Sequence, residues 1–306
     1  MIAAALSAAT VGVAVNDETG TIVPRIDLGA WVDTFVDWLT TSFTGFFDAI
    51  KDALQGAYDA VDWVFSTPPF WAVAIVLALV ATWAKSWRLG LTVLVGLVVI
   101  AGVDQWDHAM DTLSLVLVSA VIALVVAIPL GIWAARNDHV SRVLRPVLDF
   151  LQTMPAFVYL IPTVVIFLTG AVPGIVATVL FALAPGVRFT ELGIRQVDSE
   201  VVEAGRAFGA TDRRILRQIQ IPLALPTIMA GVNQVIMLSL SMVVVAGMVG
   251  AGGLGGDVVS ALQQIDVGLG FEAGLSVVIL AILLDRVTSG LADRAPVSVA
   301  LAKVRS

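Results

Sequence analysis

Long apolar runs separated by short charged segments make up most of the chain from residue 69 onward. Several runs reach the roughly 20 residues that an α-helix needs to cross the hydrocarbon core of a bilayer. A helix satisfies its backbone hydrogen bonds within the segment, as lipid requires. The pattern predicts an all-α polytopic membrane protein with about seven spans, at 69–86, 88–103, 112–135, 148–169, 172–190, 223–248 and 272–290.

The first two predicted spans are short and lie close together on either side of Lys85 and Arg88. They fit either a tight helical hairpin or one broken element. We prefer two spans, because an odd number of crossings places both ends of the chain in agreement with the distribution of charge.

Residues 31–65 precede the spans and have helical periodicity. At 100° per residue, one arc of roughly 100° is acidic. It contains Asp33, Asp37, Asp48, Asp52, Asp59 and Asp62. The other side carries Trp31, Phe35, Trp38, Phe46, Ile50, Leu54 and Val61. This predicts one or two amphipathic helices on the outer leaflet, with an ordinary helix packed on the spans as the alternative. Residues 2–15 are apolar, and a cleaved signal peptide is one interpretation of them, although no basic segment precedes them.

Composition supports the membrane assignment, and charge adds an orientation. The chain has 306 residues, of which 58% are hydrophobic and 13% charged, whereas a soluble domain has about 25% charged residues. If the N-terminus lies outside, the inner segments hold 15 of the 17 basic residues, and only Arg25 and Lys51 lie outside. Lysine and arginine concentrate on the cytoplasmic side of membrane proteins. The sequence therefore predicts an N-out, C-in topology.

Few groups in the sequence suit catalysis or metal binding. The chain has no cysteine and two histidines, which excludes thiol chemistry and a histidine-based metal cluster. Neither G-x-x-x-x-G-K-[ST] nor H-E-x-x-H occurs, and no nucleophile–base pair is visible. We therefore expect no enzymatic activity, cofactor or metal in this chain, and any use of ATP requires a partner protein.

Residues 250–255 match the pattern G-x-G-x-x-G. A dinucleotide site needs this pattern between a strand and a helix of a βαβ unit. Here the pattern follows a long apolar run that itself predicts a span. We expect a glycine-rich turn at the outer mouth of a pathway instead.

Polar residues inside predicted spans are costly in lipid and usually face other helices or a pathway. The uncharged ones are Thr153, Asn233, Gln234, Ser239 and Ser241. Hydrogen bonds between helices are the default interpretation. On the span at 223–248, however, one helical face carries Asn233, Gln234, Met237 and Ser241. Together with Thr153, these are the candidate pathway residues.

A charged segment at 188–222 separates two apolar runs and contains Arg206, Arg213, Arg214 and Arg217. The simplest interpretation is a solvated connector. Small residues at close spacing argue for more, because they let another protein approach the backbone. The order is Glu203-Ala204-Gly205-Arg206, then Gly209, then Ile219-Gln220-Ile221-Pro222.

This spacing resembles the cytoplasmic signature of ABC-importer permeases, Glu-Ala-Ala, three residues, Gly, nine residues, Ile-x-Leu-Pro. Gly205 replaces the second Ala and Ile221 replaces Leu. The resemblance implies that the segment is the contact for an ATPase subunit. The candidate coupling residues are Glu203, Ala204, Gly205, Arg206, Gly209, Ile219 and Pro222.

From about residue 112 to 290 the chain resembles the permease subunits of glycine betaine/proline uptake systems. The similarity is densest at 150–162, 223–234, 238–244, 252–255 and 278–286. It implies a type I ABC importer transmembrane fold in the bacterial cytoplasmic membrane. The expected division is an extracytoplasmic segment 1–67, a two-span hairpin 68–111, a permease core 112–290 with a coupling loop 191–222, and a cytoplasmic tail 291–306.

The resemblance also implies partners: two ATPase subunits that carry ATP and Mg²⁺, a second copy of this chain, an extracytoplasmic binding protein and membrane lipid, but no nucleic acid. An importer of choline, carnitine or ectoine is an alternative. A secondary transporter or channel driven without ATP is another, and it predicts a buried ionisable residue in the middle of a span.

Overall fold

The structure is a computed structural model that describes residues 27–294. Most of these residues are helical and none lies in a β-strand, as the sequence predicts. Residues 1–26, which include the apolar segment considered as a signal peptide, and residues 295–306 of the predicted tail lie outside the described part.

The α-helices, numbered in chain order, are α1 (Leu28–Ser42), α2 (Thr44–Ser66), α3 (Phe70–Ala84), α4 (Trp87–Gly102), α5 (Trp106–Arg136), α6 (Asp138–Thr153), α7 (Leu160–Phe167), α8 (Ala171–Arg195), α9 (Ser199–Ala207), α10 (Asp212–Ile215), α11 (Ile221–Ala246), α12 (Gly253–Gln264) and α13 (Val267–Asp293). Short 3₁₀ turns lie at Ala156–Tyr159 and Gly247–Val249, and a π-helical turn lies at Leu216–Gln220.

The chain forms two compact units, which divide between Phe47 and Asp48. The first unit contains α1, a helix without buried residues on which Trp31, Phe35 and Trp38 are exposed. The predicted helix is therefore present. Its position on the outer leaflet stays a prediction.

In the second unit, residues from α2 pack against the membrane helices. Leu54, Tyr58 and Val61 contact the main apolar core. The axes of α2 and α3 meet at 101°, at a Pro68-Pro69 pair that cannot donate backbone hydrogen bonds to continue the helix. If α3 crosses the membrane, α2 runs nearly parallel to the membrane surface, as expected of an interfacial helix.

Four helical segments are long and apolar enough to cross a membrane: α5, α8, the continuous run Asp212–Val249, and α13. The helices α3 and α4 have 15 and 16 residues, or about 23 Å each at 1.5 Å per residue. They pack closely against each other at Gly90, where an added Cβ would lie 2.7 Å from the carbonyl oxygen of Ala78. The described residues hold four spans, or six if each bent pair of helices crosses once, so the predicted count of seven is not confirmed.

The span predicted at 148–169 is not one straight helix. The helix α6 ends at Thr153, and the helical segment that follows from Ala156 is bent away from it by 106°. Met154 has an extended backbone with ψ 135°, the conformation that the following Pro155 favours. Since hydropathy sums over the break, the sequence pattern did not resolve the bend.

The helices α5, α8 and α11 form the centre of the bundle through small residues. A Cβ on Gly186 would lie 2.7 Å from Ala127 Cβ and 3.2 Å from Val235 Cγ2. A Cβ on Gly131 would lie 2.7 Å from the Val187 carbonyl oxygen. Small residues allow helix backbones to approach closely in membranes, where packing rather than hydrophobicity drives association.

Candidate functional site

The predicted coupling segment forms the separate helix α9 at the end of the bundle where α8 ends and α10 begins. Asp198 caps its N-terminus by accepting a hydrogen bond from the Glu200 N–H at 2.9 Å. Asp and Ser are favoured at this position because they satisfy free N–H groups of the first turn. The sequence thus defines where α9 starts.

Gly209 ends α9 in a left-handed conformation with φ +79°. The Gly209 N–H donates to the Arg206 carbonyl at 2.9 Å, and the Ala210 N–H donates to the Gly205 carbonyl at 3.1 Å. These two bonds are the Schellman motif, which requires a residue that tolerates positive φ. The left-handed end of α9 therefore by itself favours a glycine at this position of the signature.

Gly205 lies where α9 contacts the next part of the signature. A Cβ built on Gly205 would lie 2.7 Å from Ile219 Cδ1 and 3.6 Å from Ile215 Cγ1. The small residues of the signature predict close approach by a partner protein, and this approach stays a prediction. The structure shows that Gly205 packs within the chain, so the two halves of the signature contact each other.

The remaining signature residues of α9 face outward. Glu203, Ala204 and Arg206 are exposed, and Arg206 lies 3.6 Å from Asp212 in an exposed ion pair. Phe208, which the sequence analysis did not select, is 92% exposed. The sequence could have identified Phe208, because an aromatic residue stands directly before the capping glycine. This exposed surface fits contact with another protein.

The segment after α9 is continuous with a membrane helix. Asp212–Val249 is a single run of 38 residues, about 57 Å long at 1.5 Å per residue and thus longer than a bilayer core of about 30 Å. Ile219 and the half-buried Pro222 lie in it. Since Pro222 cannot donate a backbone hydrogen bond, the π-helical turn at Leu216–Gln220 directly before it accommodates the break in the ladder.

An apolar cluster lies at the base of α9. It is formed by buried Ile194 of α8, Leu216 of the π turn, and Ala224 and Ile228 of α11, with half-buried Val197 against it. The cluster joins α8, the segment that enters α9, and the start of α11. Residues that precede α9 and residues that follow it in the chain thus pack together in this cluster.

The candidate pathway residues of α11 separate onto two faces. Gln234 and Ser241 are exposed and Met237 is half-buried. Asn233 instead faces α13, where its amide donates to Asp285 Oδ1 at 2.9 Å and its carbonyl oxygen accepts from Thr288 Oγ1 at 2.6 Å. Asn233 thus forms hydrogen bonds between helices, which was the default interpretation for uncharged polar residues inside the predicted spans.

The exposed stripe of α11 continues along the whole helix and onto the 3₁₀ turn at its end. It contains Leu223, Ala230, Gln234, Ser241 and Met248. Thr153 is also exposed, on the bend between α6 and α7, where it donates to the Phe150 carbonyl at 3.1 Å. Ser239 is buried in the core. The stripe is therefore the surface of α11 that is open to solute, lipid or a second chain.

The glycine-rich segment is a turn between α11 and α12, as predicted. Gly250 and Gly252 both have φ +78°, and the Leu254 N–H donates to Thr112 Oγ1 at 2.9 Å. A Cβ on Gly255 would lie 2.8 Å from the Val243 carbonyl oxygen, so this glycine allows α12 to pack on α11. Because no strand occurs between residues 27 and 294, the βαβ context of a dinucleotide site is missing there.

Comparison with known proteins identifies related membrane proteins. The family model described as "Binding-protein-dependent transport system inner membrane component" matches residues 127–295. The glycine betaine/carnitine transport permease protein GbuB of Listeria monocytogenes is 50% identical, over 89% of this chain and 98% of that protein. The glycine betaine transport system permease protein OpuAB of Bacillus subtilis is 46% identical, over 88% of this chain and 95% of that protein. ProW of Escherichia coli, a glycine betaine/proline betaine transport system permease protein, is 44% identical, over 86% of this chain and 74% of that protein.

Solved structures with a similar fold include two of the MetNI methionine ABC transporter in inward-facing conformations. One matches with a TM-score of 0.56 and 24% identity, over 60% of this chain and 93% of that chain. The other has a TM-score of 0.57 and 22% identity, over 62% of this chain and 95% of that chain. At this identity the likeness concerns the fold alone, and it confirms the predicted ABC importer transmembrane fold.

Proposed function

Because this chain belongs to the family of binding-protein-dependent transport system inner membrane components, we propose that it is the permease of an ATP-driven importer of glycine betaine and related osmoprotectants. Members of this family are multi-pass proteins of the cytoplasmic membrane. The transport that they carry out depends on a binding protein and a separate ATPase. The coupling role is supported by the structure around α9. This capped helix has an exposed face, and through Gly205 it packs on the extension of a membrane helix.

The proposed assembly contains two copies of this chain and two ATPase subunits, with ATP and Mg²⁺ on the ATPases. The exposed face of α9 enters a groove of the ATPase, and Phe208 provides an apolar anchor. Aromatic residues supply much of the binding energy in such interfaces. We assign no cofactor and no catalytic residue to this chain, and no groups of three or more His, Cys, Asp or Glu that could hold a metal occur in residues 27–294.

The proposed mechanism uses α9 as a lever. When nucleotide closes the ATPase subunits, their grooves displace α9, and the contact between Gly205 and Ile219 transmits the displacement to the extended helix. Rigid-body motion about an interface is a common form of switching. The exposed stripe of α11, with Gln234 and Ser241, lines the pathway next to the half-buried Met237. Thr153 lies on the bend that opens with it.

The substrate assignment is supported by the names of the relatives, which include glycine betaine, carnitine and proline betaine transport. Choline, carnitine or ectoine is the alternative substrate. A secondary transporter is less well supported, because Glu191 is the buried charged residue among residues 27–294, and it lies near the α9 end of α8 rather than in the middle of a span.

The test is uptake of labelled glycine betaine into proteoliposomes that contain this chain and its ATPase, with ATP inside and the binding protein outside. ATP-dependent uptake, reduced by unlabelled proline or choline to different degrees, supports the mechanism and ranks the substrates. ATP hydrolysis without uptake would retain the ABC assignment and overturn the substrate. Uptake that proceeds without ATP would overturn the ABC mechanism.

A further inference from the structure

A buried carboxylate lies four residues before the end of α8. The side chain of Glu191 is 8% exposed, and its Oε1 accepts a hydrogen bond from Ser141 Oγ at 2.7 Å. The same oxygen lies 2.9 Å from Arg195 Nε and 3.4 Å from Arg145 Nη2. A buried charge is costly unless it is paired and hydrogen-bonded, and these three donors meet that requirement.

The donors come from two different helices. Ser141 and Arg145 belong to α6, and Arg195 belongs to α8 with Glu191. Arg195 Nη2 also donates to the Ala134 carbonyl of α5 at 2.8 Å and pairs with Asp138 at 2.8 Å. The arginine therefore holds the corner at which α5 ends and α6 begins, through a planar group that can serve several acceptors at once.

Apart from this network, α6 is attached by apolar contacts around buried Leu148, which packs with residues of α5 and α8. Of its 16 residues, only Ser141 and Leu148 are buried, and Val143, Val147 and Phe150 are 68%, 50% and 61% exposed. A second ion pair, Arg188 with Asp149, also joins α8 to α6, but both side chains are substantially exposed. Exposed pairs contribute little to stability, so the buried contacts of Glu191 are the main polar tie between α6 and α8.

The position of this network relates it to α9. Arg195 is the last residue of α8, and three residues, Gln196 to Asp198, separate it from the first residue of α9. Asp198 is itself the cap of α9. A three-residue link that starts at a hydrogen-bonded arginine and ends at a capped helix leaves little freedom for α9 to move without α8.

We propose that Glu191 and Arg195, with Ser141 and Asp138, form a charge clamp that makes α6 move with α9. The clamp extends the lever to the bent pair α6–α7, in addition to the contact of α9 with the extension of α11. Its hinge is the 106° bend at Met154 and Pro155. The inference rests on the proposed function of α9, and it assigns Glu191 and Arg195 as positioning residues for the transport cycle.

A charged tie suits this task better than an apolar one. Hydrogen-bonded ion pairs define one relative orientation of the two helices, whereas apolar contacts allow sliding. Glu191→Gln keeps the size and one acceptor of the side chain but removes the charge. We expect the number of solute molecules imported per ATP hydrolysed to fall on the order of tenfold, within the range of measured coupling free energies, while ATP hydrolysis persists.

Three matched variants complete the series. Ser141→Ala removes one donor and leaves the ion pair, so a smaller loss of coupling is expected. Arg195→Lys keeps the charge but cannot reach Glu191, Asp138 and the Ala134 carbonyl together, so it should resemble Glu191→Gln. Asp293→Asn removes the carboxylate of a pair with Lys85 at 3.9 Å whose acid is 73% exposed, and it should leave coupling unchanged.

A structural role alone would lower the amount or melting temperature of the ATPase-bound complex without changing the ratio of uptake to hydrolysis. The ratio is therefore measured on equal amounts of intact complex. An unchanged ratio in both Glu191→Gln and Arg195→Lys overturns the clamp.

A distance measurement tests the clamp without reference to the substrate. The chain has no cysteine, so spin labels can be attached to Val143→Cys on α6 and Ser199→Cys on α9, both exposed positions. In the ATPase-bound complex, we expect the same distance distribution within one chain before and after ATP binding. With Glu191→Gln added, the distribution should shift on ATP binding.

A shift of equal size in both backgrounds overturns the clamp. If the native chain imports no glycine betaine but the two distributions behave as expected, the substrate assignment fails and the clamp stands. If the native chain binds no ATPase, the proposed function fails and the clamp fails with it.

Discussion

At the residue scale, the signature residues of α9 have different tasks that one sequence pattern does not distinguish. Gly209 allows the left-handed end of the helix, Gly205 allows packing on Ile219, and Phe208 is exposed. The sequence predicted Gly205 and Gly209 as coupling residues because of their small size, and it did not single out Phe208. The motif predicted that a partner protein approaches these small residues. A linear motif does not show contacts within the chain, such as the one between Gly205 and Ile219, 14 positions apart.

Gly209 tests the capping role. Gly209→Val forces a β-branched residue into positive φ, a strain of about 1–2 kcal/mol, and we expect the end of α9 to unwind and ATPase binding to weaken several-fold. Gly209→Asn should be nearly neutral, because Asn tolerates this conformation. The measurement is ATPase retention on purified permease. Equal loss with both variants would indicate instead that a partner backbone needs the bare glycine, since within residues 27–294 nothing beyond its chain neighbours lies within 4 Å of its Cβ position.

Phe208 tests the anchor role. Truncation by Phe208→Ala should cost about 2 kcal/mol of binding free energy, the level of an interface hot spot, which corresponds to roughly 30-fold weaker ATPase affinity. The melting temperature of the isolated permease should not change, because the side chain contacts little else. Phe271→Ala, at a 70% exposed position on α13, is the control. Unchanged affinity with Phe208→Ala would exclude the anchor.

At the scale of elements, two features decide how the site works: the packing of α9 on Ile215 and Ile219, and the two faces of α11. The periodicity of the sequence predicted that α11 is a helix with a polar face. It placed Asn233 with Gln234 and Met237, because an arc of one helix does not reveal which neighbour covers it. The structure separates them, since Asp285 and Thr288 of α13 take the Asn233 amide.

The packing of α9 predicts a size limit at Gly205. Gly205→Ala adds a Cβ that meets only the terminal Cδ1 of Ile219, a flexible group, so ATPase binding and uptake should be retained. Gly205→Leu cannot be accommodated without displacing α9, and we expect uptake to be lost while the permease remains folded. Retained uptake with Gly205→Leu would show that the contact with Ile219 does not transmit the movement.

The faces of α11 predict opposite effects for neighbouring residues. Asn233→Leu removes the tie to α13, worth about 0.6–2 kcal/mol in membrane helices, and should lower the melting temperature. Gln234→Leu leaves packing intact and should change the KM or rate of uptake at an unchanged melting temperature. The two variants are measured in parallel by thermal unfolding and by transport. A destabilised Gln234→Leu with normal transport would contradict the assignment of the pathway face.

At the scale of the whole molecule, the apolar runs predicted a polytopic helical protein, and the resemblance of residues 112–290 to a known family implied the fold of ABC importer permeases. Both are confirmed, whereas the orientation that the distribution of charge predicts stays a prediction. The count of spans was less predictable. A run of apolar residues has the same hydropathy whether the helix is continuous, as in α8, or bent by 106° after α6. The bend depends on Pro155 and on the helices that cover both halves.

Orientation is testable by labelling single cysteines in the cysteine-free chain. With the N-out, C-in topology, Ala53→Cys on α2 and Gln263→Cys on α12 should react with a membrane-impermeant maleimide in intact cells. Glu200→Cys on α9 should react only after the membrane is opened. All three positions are exposed on the protein, so access depends on the side of the membrane. The reverse pattern would overturn the topology.

The sequence alone determined those properties that depend on local or summed chemistry. The length of apolar runs determines that the chain enters a membrane, and the turn residues determine where α9 begins and ends. The spacing of Glu203, Gly209 and Pro222 resembles the signature of ABC-importer permeases, and the ATPase contact that it implies stays a prediction. The tertiary structure decided what depends on which residues meet: the contact of Gly205 with Ile219, the partners of Asn233 on α13, and the contact of Glu191 with Ser141 on α6. These contacts join residues that the sequence lists far apart or on separate helices, and only packing in three dimensions determines them.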